Sequence, residues 1–427
     1  MKKILSAAVL LLASLSVAFA QTGTWSGDVE IQGMKLGIVF HFEEENPTMD
    51  VPDQGAKGLP IQLTRPEEGK VSVKIPSIAA SYEGQLQDGK IVGNFLQMGA
   101  SLPLTLTPGL RKLNRPQTPV GPFPYAQEEV SIQNGDVVLS GTLVLPEGCT
   151  RQTPVLVMVS GSGLQNRDEE LMEHRPFAVI ADALARAGYA TLRYDDRGFG
   201  GSTGDLVNVT TEDLKNDALA GVELLRKQFK RVGILGHSEG GTIGLMLAAE
   251  GKVDFVVSLA GGVVSFEKTL LDQNRWTLQQ AGYSQDVTDR YCTALESLFD
   301  ELKAGGNPEP TNHGLPAELE QNLQIAKAQS STPYMRYFLG LDLTDRLGKI
   351  TCPVLALNGT KDRQVNSEEN LNALQNGLAG QKEIKAMEGL NHMFQHCNTG
   401  NPSEYKDIEE TFAPEALEII VTWIKKR

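Results

Sequence analysis

The run Gly236-His237-Ser238-Glu239-Gly240, followed by Gly241, constrains this chain more than any other feature. It fits Gly-x-Ser-x-Gly, and its flanks carry the argument. Arg231-Val232-Gly233-Ile234-Leu235 precedes it and reads as a buried strand. Thr242 to Ala249 follows and, apolar all round, reads as a buried helix. A strand that turns sharply into a helix pushes a serine hydroxyl out at the edge of a sheet. Gly236, Gly240 and Gly241 let that turn close, because a Cβ there collides with a neighbouring element.

Serine alone is a poor nucleophile. It needs a base, and the base needs an orienting carboxylate. In folds that use this turn, the chain order is serine, acid, histidine. Three of the six histidines follow Ser238: His313, His392 and His396. His313 lies in a Pro/Asn-rich stretch with no strand beside it. His392 follows the strand-like Lys382-Glu383-Ile384-Lys385-Ala386, on a loop where a base can face a nucleophile. For the acid, Ile350 to Leu357 reads as a buried strand running into Asn358-Gly359-Thr360-Lys361-Asp362. The candidate triad is therefore Ser238, Asp362 and His392. Asp362 is otherwise an ordinary turn or N-cap residue.

These motifs resemble the α/β-hydrolase superfamily, and within it the serine aminopeptidase-like branch that contains many bacterial esterases. The resemblance spans roughly residues 127–427. Ser160-Gly161-Ser162-Gly163, after the strand-like Val155 to Val159, resembles the family's oxyanion loop, with Ser160 in place of its usual histidine. Asp195-Asp196-Arg197-Gly198-Phe199-Gly200-Gly201-Ser202 resembles the family's Asp-x-Arg-Gly turn.

The expected chemistry is acyl transfer. Ser238 attacks an ester carbonyl, His392 carries the proton, Asp362 holds the imidazole, and water releases the acyl group. The N–H of Glu239 is one oxyanion donor. By the resemblance, Ser162 supplies the other, with Gly163 as second choice. Such donors contribute roughly 3–4 kcal/mol each. The primary reading is a serine carboxylesterase for small soluble esters. One alternative is an aminopeptidase or acyl-peptidase on the same triad, with cap acids such as Asp289 or Glu296 gripping a substrate amine. Another is an inert hydrolase fold whose β domain captures a glycan or lipid. No cofactor or metal is expected. Gly198-x-Gly200 fails as a dinucleotide fingerprint because Thr203 stands at the third glycine position. His392 and His396 lack the intervening glutamate of a zinc helix, having Met393 instead.

Met1-Lys2-Lys3, the apolar stretch Ile4 to Val17 and Ala18-Phe19-Ala20 have the form of an export signal cleaved after Ala20. The mature chain is then expected in the periplasm or outside the cell. Removing Lys2 and Lys3 takes the net charge from −14 to −16. An acidic surface argues against nucleic acid or anionic membrane as a partner. Cys149, Cys292, Cys352 and Cys397 allow disulfides in that compartment. Cys149 and Cys352 precede strands at their amino ends, so a Cys292–Cys397 bridge between cap and histidine loop is the expected pair.

Length and patterning divide the chain. Residues 21–107 hold about eight short alternating segments, such as Lys70-Val71-Ser72-Val73-Lys74-Ile75, and read as a small antiparallel sandwich or barrel. The region resembles the lipocalin-like modules that precede some secreted hydrolases. Residues 108–126 carry Pro108, Pro116, Pro119, Pro122 and Pro124 and read as a semi-rigid linker. From 127 to 427 strands and helices alternate, which implies an α/β fold with a mostly parallel sheet covered on both faces. Residues 264–348 interrupt the alternation and read as a helical cap. Its aromatics Trp276, Tyr283, Tyr291, Tyr334, Tyr337 and Phe338 either wall an acyl pocket or join cap to body.

Overall fold

The computed structural model describes residues 22–31, 34–52, 56–67, 69–97, 100–110, 113–308 and 311–427. The export signal expected at residues 1–20 lies outside the described residues. The described residues fall into two compact units, one ending at Leu110 and one beginning at Leu113.

The first unit is one antiparallel sheet. Its strands are β1 (Gly23–Ile31), β2 (Met34–Phe42), β3 (Thr48–Val51), β4 (Ala56–Pro60), β5 (Gln62–Thr64), β6 (Lys70–Ile75), β7 (Ala80–Gln87), β8 (Lys90–Gln97) and β9 (Ala100–Pro108). That is nine strands, against the eight or so read from patterning. Their order is β4-β3-β2-β1-β9-β8-β7-β6-β5. The two edge strands are separated by Ile61 alone, so the sheet curls until it nearly closes. Alternation supplies its interior. Val71, Val73 and Ile75 point inward from β6 beside Phe40, Phe42 and Tyr82, while Lys70 and Lys74 face solvent. The buried Tyr82 hydroxyl donates toward the carbonyls of Ile91 and Leu104, 3.0 and 3.2 Å away.

The second unit is the α/β-hydrolase fold. A hairpin of β10 (Ala126–Asn134) and β11 (Val137–Leu145) opens it. Then come β12 (Val155–Val159), α1 (Pro176–Arg186), β13 (Ala190–Tyr194), α2 (Thr211–Arg226), β14 (Val232–His237), α3 (Glu239–Ala249) and β15 (Val256–Leu259). Four helices follow: α4 (Phe266–Gln280), α5 (Gln285–Lys303), α6 (Ala317–Ser330) and α7 (Pro333–Leu339). The unit ends with β16 (Val354–Gly359), α8 (Ser367–Gly377), β17 (Lys382–Met387) and α9 (Pro414–Ile424). The sheet order is β10-β11-β13-β12-β14-β15-β16-β17. β11 pairs antiparallel with its neighbours, and from β13 onward every pair is parallel.

Period-two alternation sends side chains to two cores. From β12, Val155, Val157 and Val159 join α2 and α3 on one face, while Leu156 and Met158 join α1 and α9 on the other. Phe177 and Trp423 anchor that second face. Helices α4–α7 have a separate core of Leu278, Tyr291, Leu295, Phe299, Leu319 and Leu323, so they form a cap with its own interior.

Two expectations differ from what is observed. Residues 113–125, expected as part of a semi-rigid linker and not as a packed element, are tied down by side-chain hydrogen bonds. Arg115 donates to the carbonyls of Met172, Lys406 and Ile408, and the Gln117 side chain bonds the backbone of Thr411 and Phe412. Proline leaves a strand-like chain with few donors of its own, and these two side chains supply the contacts that strap it to the second unit. The Cys292–Cys397 bridge is not formed, and all four thiols are free. Cys292 is buried in the cap's own core, while the Cys397 sulfur lies 3.5 Å from the Gly389 carbonyl. Cys292 therefore behaves as a small hydrophobe, whereas Cys397 donates its thiol to a backbone carbonyl.

Candidate active site

Four loops at the carboxyl ends of parallel strands converge here, following β12, β14, β16 and β17. Ser238 joins β14 to α3 with φ +51° and ψ −120°. A non-glycine residue in this region costs of order 1–3 kcal/mol and persists only where its surroundings enforce it. Here the enforcement is visible. A Cβ on Gly236 would sit 2.1 Å from the Gly240 carbonyl oxygen, and one on Gly240 would sit 1.9 Å from that of Val159. The Ser238 N–H donates to Leu259 O at 2.8 Å, and its carbonyl accepts from Gly241 N at 2.9 Å. The backbone is thus pinned on both sides while the side chain stays partly accessible.

Asp362 and His392 meet at the next two loops. Their Oδ2 and Nδ1 atoms are 2.7 Å apart, and both side chains are buried. The other oxygen, Asp362 Oδ1, accepts from the N–H groups of Gln364 and Val365 at 2.7 and 2.9 Å. The carboxylate is therefore fixed in rotation, and with it the imidazole. His392 Nε2 has no protein partner among the described residues and is free to exchange a proton.

A second buried pair lies alongside. His237 Nδ1 is 2.8 Å from Glu169 Oε1, and its Nε2–H donates to the His392 carbonyl at 2.9 Å. The two histidine rings have centroids 4.7 Å apart. The residue before Ser238 thus ties the nucleophile turn to the histidine loop. Burial opposes charge on His237, but Glu169 outweighs it and raises the pKa. Glu169 Oε1 also accepts the Gly161 N–H at 2.7 Å, which holds the loop after β12.

That loop carries the expected oxyanion donors. A Cβ on Gly161 would lie 3.2 Å from Ser238 Cβ, so the loop runs directly beside the nucleophile. The Ser162 hydroxyl lies near the Glu239 carboxyl. Gly163, at φ +97°, faces open space. The Glu239 N–H opens α3 and, like every first-turn donor, has no partner within its helix. It has none elsewhere among the described residues. Ser160 donates to Asp196 Oδ1 at 3.0 Å, standing where the resemblance led one to expect histidine. Burial pushes the Asp196 carboxyl up to about 7 and also raises that of Glu239, despite hydrogen bonds from Thr211 and Tyr334.

The other histidine candidates lie elsewhere. His313 contacts Glu320 in the cap. His396 turns outward to Glu410 and Glu415, away from His392. Among the described residues no cluster of histidine, cysteine and acidic groups is arranged to hold a metal. Asp289, a proposed grip for a substrate amine, is already paired with Arg275 and Gln285, and Glu296 is exposed. Sequence reasoning did not connect His237 with Glu169. It also missed Thr211 altogether. No spacing rule joins Glu169 to His237, and only the fold brings them together.

Residues 134–398 match the profile of the X-Pro dipeptidyl-peptidase (S15) family. Esterase EstD of Thermotoga maritima is 27% identical over 292 residues, which is 67% of this chain and 64% of that protein. This chain thus matches somewhat less than two thirds of that esterase's length. Among solved structures, ferulic-acid-bound Est1E from Butyrivibrio proteoclasticus is 18% identical, with a TM-score of 0.42, covering 70% of this chain and 96% of that one. An esterase of Pyrococcus furiosus, Pf2001, is 17% identical with a TM-score of 0.43, covering 74% and 98%.

Proposed function

We propose an activity for a chain that belongs to the X-Pro dipeptidyl-peptidase (S15) family: it is a serine hydrolase that cleaves small soluble carboxylic esters through an acyl-enzyme on Ser238. The observation that most supports this reading is the buried Asp362–His392 pair, 2.7 Å apart, beside the strained serine turn. His392 Nε2 takes the Ser238 proton as the hydroxyl attacks. The same proton then goes to the leaving alcohol. Asp362 keeps the other ring proton on Nδ1 and stabilises the imidazolium. The N–H groups of Glu239 and Ser162 receive the oxyanion. Water, deprotonated by His392, releases the acid. The proposal includes export of the chain, on the residues of its first twenty positions.

The family's name favours a second reading, cleavage of a peptide bond by the same residues. Aryl acetates and aminoacyl arylamides separate the two. The first reading expects turnover of the acetate to exceed that of the arylamide by at least about a hundredfold, and the reverse order supports the second. A serine-directed phosphonate should label Ser238 alone, and Ser238→Ala should lower kcat by about 10⁴-fold or more with folding intact. Labelling elsewhere, or full activity in the alanine variant, overturns the assignment.

A further inference from the structure

The Glu239 side chain joins two segments beside the nucleophile. It is 2% exposed, and its carboxyl accepts from both. Thr211, which opens α2, donates to Oε1 at 2.6 Å. Tyr334, on cap helix α7, donates to Oε2 at 2.5 Å. The Ser162 hydroxyl lies near both the carboxyl and the Tyr334 hydroxyl. Tyr334 stacks on Phe338 at 5.7 Å, and Phe338 packs on Phe266 at 4.3 Å, so its ring is set by the cap. One buried group therefore bonds the body and the cap, and it lies near the residue proposed to carry the second oxyanion donor. Its own backbone N–H is the first.

We propose that the Glu239 carboxyl and the Tyr334 hydroxyl form a clasp that couples docking of cap helix α7 to the geometry of the oxyanion hole. Both are then positioning residues for acyl transfer. This rests on the reading of Ser238 as nucleophile. The physical reason is the cost of an unpaired buried acceptor. When α7 lifts, Oε2 loses its donor. The Ser162 hydroxyl is the nearest replacement, and turning it toward Oε2 shifts the loop whose N–H should face the oxyanion. A donor displaced by about half an ångström loses most of its value in the transition state. With α7 docked, Tyr334 satisfies Oε2 and leaves Ser162 in place. The hole is complete only under a closed cap.

Tyr334→Phe removes one oxygen and keeps the ring stack. Tyr337→Phe is its control: Tyr337 lies on the same helix and donates to Glu212 Oε2 at 3.0 Å, a cap-to-body bond away from Glu239. The substrate is an aryl acetate, with kcat, KM, the rate of Ser238 phosphonylation and the thermal midpoint measured on the full chain. Tyr334→Phe is expected to lower kcat about tenfold and slow phosphonylation in parallel, with KM changed less than about threefold. Tyr337→Phe should leave kcat within about twofold. Glu239→Gln should also lower kcat, and adding Tyr334→Phe to it should cost little more, because the two act through one contact. Unchanged kcat in Tyr334→Phe, an equal loss in Tyr337→Phe, or multiplicative losses in the double variant would overturn the clasp. Failure of the wild-type chain to be labelled at Ser238 would instead overturn the reading beneath it.

Discussion

Asp362→Asn is the sharpest test of the site because the structure dictates how the amide must sit. Asp362 makes three contacts through two oxygens. Oδ1 accepts the N–H groups of Gln364 and Val365, and Oδ2 faces His392 Nδ1. Asparagine has one oxygen. Two backbone donors demand it, so the NH₂ group is forced toward His392. The imidazole must then accept at Nδ1 and carry its proton on Nε2. In that tautomer Nε2 cannot take a proton from Ser238. Two of the three hydrogen bonds survive, so the stability lost is limited to one buried charge-assisted bond, about 1.5–3 kcal/mol. The expected fall in kcat is about 10⁴-fold, or about 5.5 kcal/mol of transition-state stabilisation. Asp362→Ala, which loses all three contacts, should be the less stable of the two variants while losing comparable activity. Initial rates on an aryl acetate, with urea unfolding of each protein, measure both effects. An asparagine variant that keeps more than about a tenth of wild-type kcat would refute the tautomer argument. An asparagine variant as unstable as the alanine one would refute the assignment of Oδ1 to the turn.

Other outcomes are equally specific. Gly240→Ala brings a Cβ to 1.9 Å from the Val159 carbonyl oxygen, so it should displace the serine turn and abolish both labelling and activity; a soluble, active variant contradicts the packing. Burial raises the Asp196 pKa to about 7 from its ordinary 3.8. The folded state therefore binds the extra proton, and this contribution to stability is full below about pH 4 and lost as pH rises through 7. Asp196→Asn should flatten that part of the pH–stability curve, measured by urea midpoints at pH 5 and 8, and an unaltered curve rules the shift out. His174 runs the other way. Burial between Thr411 and Tyr405 lowers it to about 4 from 6.5, so its contribution is present above pH 6.5 and fades as pH falls toward 4. Replacing it with glutamine should remove that acid sensitivity. No step proposed here uses a metal, so a chelator should leave kcat unchanged; activity lost to it and restored by zinc would contradict the mechanism.

The sequence by itself determined what depends on neighbours along the chain. Gly236 and Gly240 announced a turn that only glycine can close, and the apolar runs beside them set strand β14 and helix α3. The apolar run Val155–Val159 announced its strand, and residues 264–348 were legible as a helical cap, though without the bounds of its helices. Ser238, Asp362 and His392 were legible as candidates because each follows a readable strand, and strand ends in such a sheet share one edge. The β domain was legible as a small antiparallel sandwich or barrel, while its ninth strand was not, since short edge strands carry little pattern.

Tertiary structure alone decided which distant side chains meet. Glu169 reaches His237 across 68 positions, and Tyr334 reaches Glu239 across 95. Arg115 and Gln117 bind carbonyls nearly 300 residues away, turning an apparent spacer into a strap. Cys292 stays within the cap's core rather than bridging out of it. A repeat or a glycine reports the local cost of a backbone conformation. A hydrogen bond between remote loops reports only where packing of the two cores has brought them, and no short stretch of chain contains that information.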